Sequence, residues 1–246
     1  MKHLLIILTL LLFPASAMAG MGGGVPYTVN GESFEGYFVS PADTAPLVLL
    51  VHDWDGLTDY EVKRADMLAE LGYAVFAVDL FGAGVRPTET ADRKRLTGAL
   101  YADRGRMRTL LTGALDKAKA LGGDTANAVA MGYCFGGTAV LELARSGANL
   151  KAFVPFHGGL ATPEGQSVKT IKGFVLVFHG SADQAVSLDE FAELAKELEA
   201  AGIPHEMTTY SGAPHAFTVF GSPRYSKEAD MQSWSRFTGF LDATLK

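Results

Sequence analysis

Residues 132–137 read Gly-Tyr-Cys-Phe-Gly-Gly, and Cys134 at their centre is the chain's single cysteine. An apolar, strand-like run at residues 126–131 precedes the motif, and a helical pattern at 138–146 follows it. Cys134 therefore stands on a sharp strand-to-helix turn, the nucleophile elbow. Gly132 and Gly136 leave room where strand and helix crowd together, while the turn forces strained backbone angles on its central residue. The helix points its N-terminus at the sulfur, and its unpaired amides and dipole favour a thiolate and later an oxyanion. A buried, inert cysteine is the competing reading, and the surrounding glycines speak against it.

A nucleophilic thiol needs a base, and the base needs an orienting acid. His179-Gly180-Ser181-Ala182-Asp183 and Pro214-His215-Ala216-Phe217 each follow a strand-like run. Nucleophile, acid and histidine thus occur in the chain order Cys134, Asp183, His215, which is one of the recurrent triad orders. Cys134 would attack a carbonyl, His215 would take the thiol proton and return it to the leaving group, and Asp183 would orient the imidazole. His52, His157 and His179 also lie at strand ends, and His205 begins a strand, but only His215 follows the last one. His157 and His179 are expected to shape the pocket. Asp183 acting only as a turn cap is the competing reading at that position.

The elements that must position these groups alternate along the chain. Asn30-Gly31 between alternating residues predicts a hairpin of strands at 25–29 and 34–39. The continuous apolar run Pro46–Val51 predicts a central strand covered on both faces. Further strands are expected at 73–78, Ala152–Phe156, 173–178 and His205–Tyr210, with helices at 58–71, Leu188–Ala201 and 226–244 and helical patterns across 89–121. The result is an α/β fold, a mostly parallel, doubly wound sheet with helices on both faces. Ligands in such sheets bind beyond the carboxyl ends of the strands, where Asp53, Cys134, Asp183 and His215 all fall.

Composition and the N-terminus bound the function. With 246 residues, 48% hydrophobic and 20% charged, the chain can bury a full core as one domain, expected over residues 25–246. Its formal net charge of −6, without a basic block, disfavours a nucleic-acid partner. One cysteine excludes an internal disulfide framework and a multi-cysteine metal site. Lys2, the apolar residues 4–13 and Ala17-Met18-Ala19 form the pattern of a secretory signal peptide over residues 1–19, with cleavage after Ala19 and a periplasmic destination. The apolar run is short for a bilayer span, so no stable membrane anchor is expected. Gly-rich residues 20–24 read as a flexible linker. Nothing in the sequence signals an oligomeric state.

The motif around Cys134, the strand-end Asp183 and the late His215 resemble the dienelactone hydrolase family of the α/β-hydrolases, over most of the chain beyond the leader. The resemblance implies an oxyanion held by two backbone amides, after the nucleophile and in the first strand-end loop; here these belong to Phe135 and Trp54. It also implies a carboxylate in that first loop that restrains the resting cysteine. Asp53 matches that place, one methylene shorter than the family's glutamate, with Asp55 the lesser candidate and strand capping the alternative. Two arginines that grip a substrate carboxylate in the family are replaced by Ala83 and Val219, and neither Arg86 nor Arg224 aligns with them. Phe81, Phe217 and Phe220 suggest an apolar pocket, or else ordinary packing.

Together these readings anticipate a small ester or lactone as substrate, an acyl-thioester intermediate, and no metal or organic cofactor. A thioester substrate is chemically close. A catalytically weak binding or accessory protein that keeps the fold is the rival from another class. Thiol redox chemistry lacks a resolving cysteine within the chain.

Overall fold

A computed structural model describes residue 20 and residues 22–246, so the expected leader lies outside the described residues. In chain order the described elements are β1 (Gly23–Val29), β2 (Glu32–Val39), β3 (Pro46–Val51), α1 (Asp59–Glu70), β4 (Ala74–Val78), α2 (Thr90–Ala102), α3 (Arg104–Ala120) and β5 (Asp124–Tyr133). They continue with α4 (Phe135–Arg145), β6 (Ala152–Phe156), a 3-10 turn at Val168–Thr170, β7 (Phe174–Gly180), α5 (Leu188–Ala201), β8 (His205–Tyr210) and α6 (Lys227–Leu245). The strands form one sheet in the order β1-β2-β4-β3-β5-β6-β7-β8. β1 and β2 run antiparallel to each other, β2 runs antiparallel to β4, and the pairings from β4 to β8 are parallel. No described helix is long and apolar enough to cross a membrane.

Alternation along the strands builds a core on each face of the sheet. Leu47, Leu49 and Val51 of β3 join Met107, Leu111, Val140, Leu194 and Leu198 on the face covered by α3, α4 and α5. Val48 and Leu50 join Leu68, Phe237 and Leu241 on the face covered by α1 and α6. A strand with both faces covered must be apolar at every position, as β3 is. Turns and caps follow local rules. Asn30 and Gly31 take φ of 50° and 84°, the double positive φ of a type I′ hairpin turn. Thr58 caps α1 and forms a capping box with Glu61, while Gly202 closes α5 at φ 67°.

Three stretches depart from the sequence expectation. Residues 20–24 are not a linker throughout: Gly23 and Gly24 pair with Phe38 and Tyr37 in the β1–β2 ladder, and the Gly20 N–H donates to the Ser40 carbonyl at 3.2 Å. The helical stretch 89–121 is two helices broken at Asp103, whose carboxylate accepts the Arg106 N–H at 2.8 Å and caps α3. At the elbow, β5 runs to Tyr133 and α4 starts at Phe135, so Cys134 alone makes the turn.

That turn is crowded by backbone. A Cβ on Gly136 would lie 2.3 Å from the Val51 carbonyl oxygen, and one on Gly132 would lie 2.4 Å from the Gly136 carbonyl. Neither obstacle can rotate away. Gly136→Ala should therefore destabilise the protein by about 3 kcal/mol or more, at the upper end of overpacking costs. Gly98→Ala, on the exposed face of α2 with nothing near the new methyl, should stabilise by about 0.5–1 kcal/mol. Urea denaturation of the two variants checks both signs.

Candidate active site

Every parallel strand delivers a side chain or amide to one edge of the sheet. β3 leads into His52, Asp53 and Trp54, β5 into Cys134, β6 into His157, β7 into Ser181 through Asp183, and β8 into the loop bearing His215. Cys134 has φ 50° and ψ −112°, a region that costs a non-glycine residue about 1–3 kcal/mol and is held by its surroundings. The structure brings Cys134, His215 and Asp183 together. His215 Nε2 lies 3.1 Å from Cys134 Sγ, and His215 Nδ1 lies 2.8 Å from Asp183 Oδ2. Because the Asp183 carboxylate can only accept, Nδ1 carries the proton and Nε2 offers its lone pair to the sulfur.

The carboxylates around this site share a common handicap, burial, and resolve it differently. Burial raises Asp183, but the hydrogen bond from His215 and those from the Val186 and Ala185 amides, 3.0 and 2.8 Å long, outweigh it and hold the carboxyl below its usual range. Asp53 has less support. Burial and the neighbouring Asp55 charge push it up to about 6, against a hydrogen bond from the Trp54 amide and the opposing pull of His215 and Cys134. Glu61, fully buried, is pushed up to about 8 even though Thr58 bonds it through its amide and hydroxyl.

The helix N-terminus favours a thiolate at Cys134, and stronger influences oppose it. The Phe135 amide lowers the thiol, but burial and the nearby charge of Asp53 win and raise it well above the ordinary value. The charge of Asp53 thus acts on the cysteine despite the shorter side chain. The same carboxylate accepts the Trp54 N–H, so one of the two expected oxyanion donors is occupied in this state.

Glu61 was not singled out by its chemistry in the sequence, yet its Oε1 accepts the Asp53 N–H at 3.3 Å and ties the first strand-end loop to α1. The Thr58-x-x-Glu61 capping box was the available signal. His52, held neutral chiefly by burial with its pKa pushed down to about 4, accepts the Leu80 N–H at 3.2 Å and joins that loop to the one after β4.

The apolar residues divide. Phe81 lies at the rim, its ring 4.6 Å from His52 and 5.5 Å from Phe135, with Tyr101 on the other side of Phe135 at 5.6 Å. Phe217 is fully buried and packs on His157 and Tyr210, so it is core rather than pocket. Phe220 stacks between Tyr60 and Tyr225, with the Arg64 guanidinium 4.3 Å from its ring centre, and belongs to the packing of α1. His179 packs against Phe191. Arg86 is committed to its own loops through the Leu57 and Val85 carbonyls, and exposed Arg224 reaches Cys134 only as a charge that slightly lowers the thiol.

Residues 34–245 match the Dienelactone hydrolase family. The chain is 27% identical to Protein usf of Aquifex pyrophilus over 205 residues, covering 80% of this chain and 87% of that one. It is similar to the crystal structure of a dienelactone hydrolase-like promiscuous phosphotriesterase from metagenomic libraries, with 30% identity, a TM-score of 0.85, and coverage of 92% of this chain and 99% of that one. The acylaminoacyl peptidase of Pyrococcus horikoshii, 15% identical with a TM-score of 0.72, shares the fold over 92% of this chain and 42% of its own.

Two titration results should follow. Glu61 and Asp53 are acids whose folded pKa is raised, so their contribution to stability is present at low pH. It is lost from 4.5 to about 8 for Glu61 and from 3.8 to about 6 for Asp53. From pH 7 to 8, above the range in which the buried histidines titrate, melting temperature should fall in the wild type and fall less in Glu61→Gln; parallel curves would remove Glu61 as the source. Asp53→Asn removes the negative charge beside the thiol and should move the pH midpoint of Cys134 alkylation down by about one unit or more, read with iodoacetamide on the single cysteine.

Proposed function

The chain belongs to the dienelactone hydrolase family, and from that premise we propose that it is an exported cysteine hydrolase of carboxylic esters or lactones. The reading rests on one observation above the others, the continuous contact from Cys134 Sγ to His215 Nε2 at 3.1 Å and from His215 Nδ1 to Asp183 at 2.8 Å. Export is inferred from the leader pattern of residues 1–19.

The chemistry follows from the groups present. A substrate carbonyl entering the site competes with the Asp53 carboxylate for the Trp54 N–H. As Asp53 withdraws, the charge that held the proton on sulfur leaves with it, and His215 Nε2 takes the thiol proton. Sγ attacks the carbonyl carbon, and the oxygen that gains the negative charge is held by the Phe135 and Trp54 amides; one such donor is worth about 10²–10³-fold in kcat. Collapse breaks the bond to the leaving alcohol, which receives the proton from His215, and leaves an acyl thioester on Cys134. His215 then draws a proton from water, whose oxygen attacks the thioester carbonyl and releases the carboxylic acid and the thiol. Asp183 stays ionised throughout and balances the imidazolium. No step calls for a metal or an organic cofactor.

The acyl group is inferred to be neutral. Ala83 and Val219 stand where the resemblance places two arginines, and the rim carries the aromatic rings of Trp54, Phe81 and Tyr101. A buried carboxylate without a cationic partner is costly.

Activated aryl esters, lactones and a phosphotriester, the last suggested by the metagenomic relative, make the test panel. Pre-steady-state hydrolysis with intact-mass detection should give a burst and an acyl adduct, both absent in Cys134→Ala. In His215→Ala the rate should fall by about 10²–10⁴-fold, the usual share of a general base, and neutral esters should exceed carboxylate-bearing ones. Wild-type rates in both variants would refute the triad. No turnover by any form, with Cys134 also inert to alkylation, would favour the binding-protein reading.

A further inference from the structure

His157 closes β6 in the left-handed region, at φ 41°, and is fully buried. Its Nδ1 lies 3.2 Å from the Cys134 backbone nitrogen, and its Nε2 lies 2.8 Å from Thr218 Oγ1. A backbone N–H can only donate, so Nδ1 accepts and the proton sits on Nε2, which donates to Thr218. The Cys134 N–H is shared with the Phe156 carbonyl at 3.0 Å. Thr218 stands three positions beyond His215 in the chain. One imidazole therefore spans from the backbone of the nucleophile's turn to the loop that carries the base.

The far end of this span is fixed by buried charge. Thr218 Oγ1 also accepts from the Tyr60 hydroxyl at 2.7 Å, and the Tyr60 oxygen accepts from Arg64 Nε at 3.3 Å. Arg64 Nη2 donates to the Thr218 carbonyl at 3.1 Å and pairs with Asp230, which takes a further bond from Tyr225 at 3.1 Å. Arg64 and Asp230 are 1% and 5% exposed, and removing one member of such a pair strands the other charge.

Resting on the reading of Cys134 and His215 as nucleophile and base, we propose that His157 is a positioning residue, a neutral strut between Cys134 and Thr218 that sets the sulfur-to-imidazole distance and keeps the space beside His215 free of positive charge. The second role follows from its place, ring centre 5.4 Å from that of His215. An imidazolium forming on His215 would be opposed by any proton on His157. The charged or titratable groups acting on His157 are His215, Asp183 and Arg64; burial and then the His215 charge hold it well below the ordinary histidine value, and Asp183 opposes them.

The test uses Thr218→Val, which removes the acceptor at nearly constant shape, Thr218→Ser, which restores it, and His157→Asn, which withdraws the reach to Thr218. Two readouts are taken on the full chain: kcat and KM with an activated aryl ester, and the iodoacetamide rate of Cys134 from pH 5 to 9. Thr218→Val should lower kcat about tenfold, the upper range of one net hydrogen bond, with KM within about twofold. The alkylation rate at neutral pH should fall in parallel, and Thr218→Ser should recover both. An alkylation profile in Thr218→Val that superimposes on the wild type, or a raised KM at unchanged kcat, overturns the proposal. If Thr218→Val does not fold, His157→Asn is read by the same criteria. Should the wild type turn over no ester, the function proposed above fails by itself, and the alkylation profiles alone decide the role of His157.

Discussion

Most of what this site does depends on backbone packed against backbone at one point. α4 begins so close to the end of β3 that Gly136 lies against the Val51 and His52 carbonyls, and Gly158 lies against Gly137. That proximity goes with the positive φ of Cys134 and places the residue at the sheet edge, where its sulfur meets His215. A side chain at any of these glycines would separate the elements, and every contact beyond them would lengthen. Packing here is a geometric condition for chemistry as much as a source of stability.

Around that point, differences in burial and in hydrogen bonding together set how the titratable groups behave. Asp183 collects three donors and stays ionised beside His215. Asp53 collects fewer and shares its neighbourhood with Asp55, so it sits near the range where a proton can move. Cys134 faces Asp53 and remains a thiol. One carboxylate, Asp53, thus both accepts the Trp54 N–H and raises the thiol.

Much of this was legible from residues alone because it depends on short-range rules. Pro46–Val51, Ala152–Phe156, His205–Tyr210 and Leu188–Ala201 emerge with the bounds expected from the sequence. The order of Cys134, Asp183 and His215 carried the meeting of groups far apart in the chain. What was hidden depends on three-dimensional neighbours. Phe217 and Phe220 share a loop with His215, yet only contacts with Tyr210, Tyr60 and Arg64 decide that they face inward. The strand at Gly23 and Gly24 exists because a partner strand runs beside them. The Cys134 thiol is raised against the pull of the helix N-terminus because desolvation and one carboxylate outweigh an amide, a balance that spacing leaves open. His157 looked like a pocket residue, and its second bond, to Thr218, could not be read from spacing.

The place of β5 in the sheet also governs how the site comes into being. Its neighbours are β3, reached across α1, β4, α2 and α3, and β6, which follows at once through α4. The β5–β6 side can close early, whereas the β3 side must wait for a long loop to be drawn in, and pairings of such separation are slow to form. Until they do, Cys134 is an ordinary thiol, without Asp53, without the Trp54 amide and without cover. The solitary sulfur thus marks the progress of folding, passing from an exposed thiol to a buried, raised one as the two halves of the sheet join.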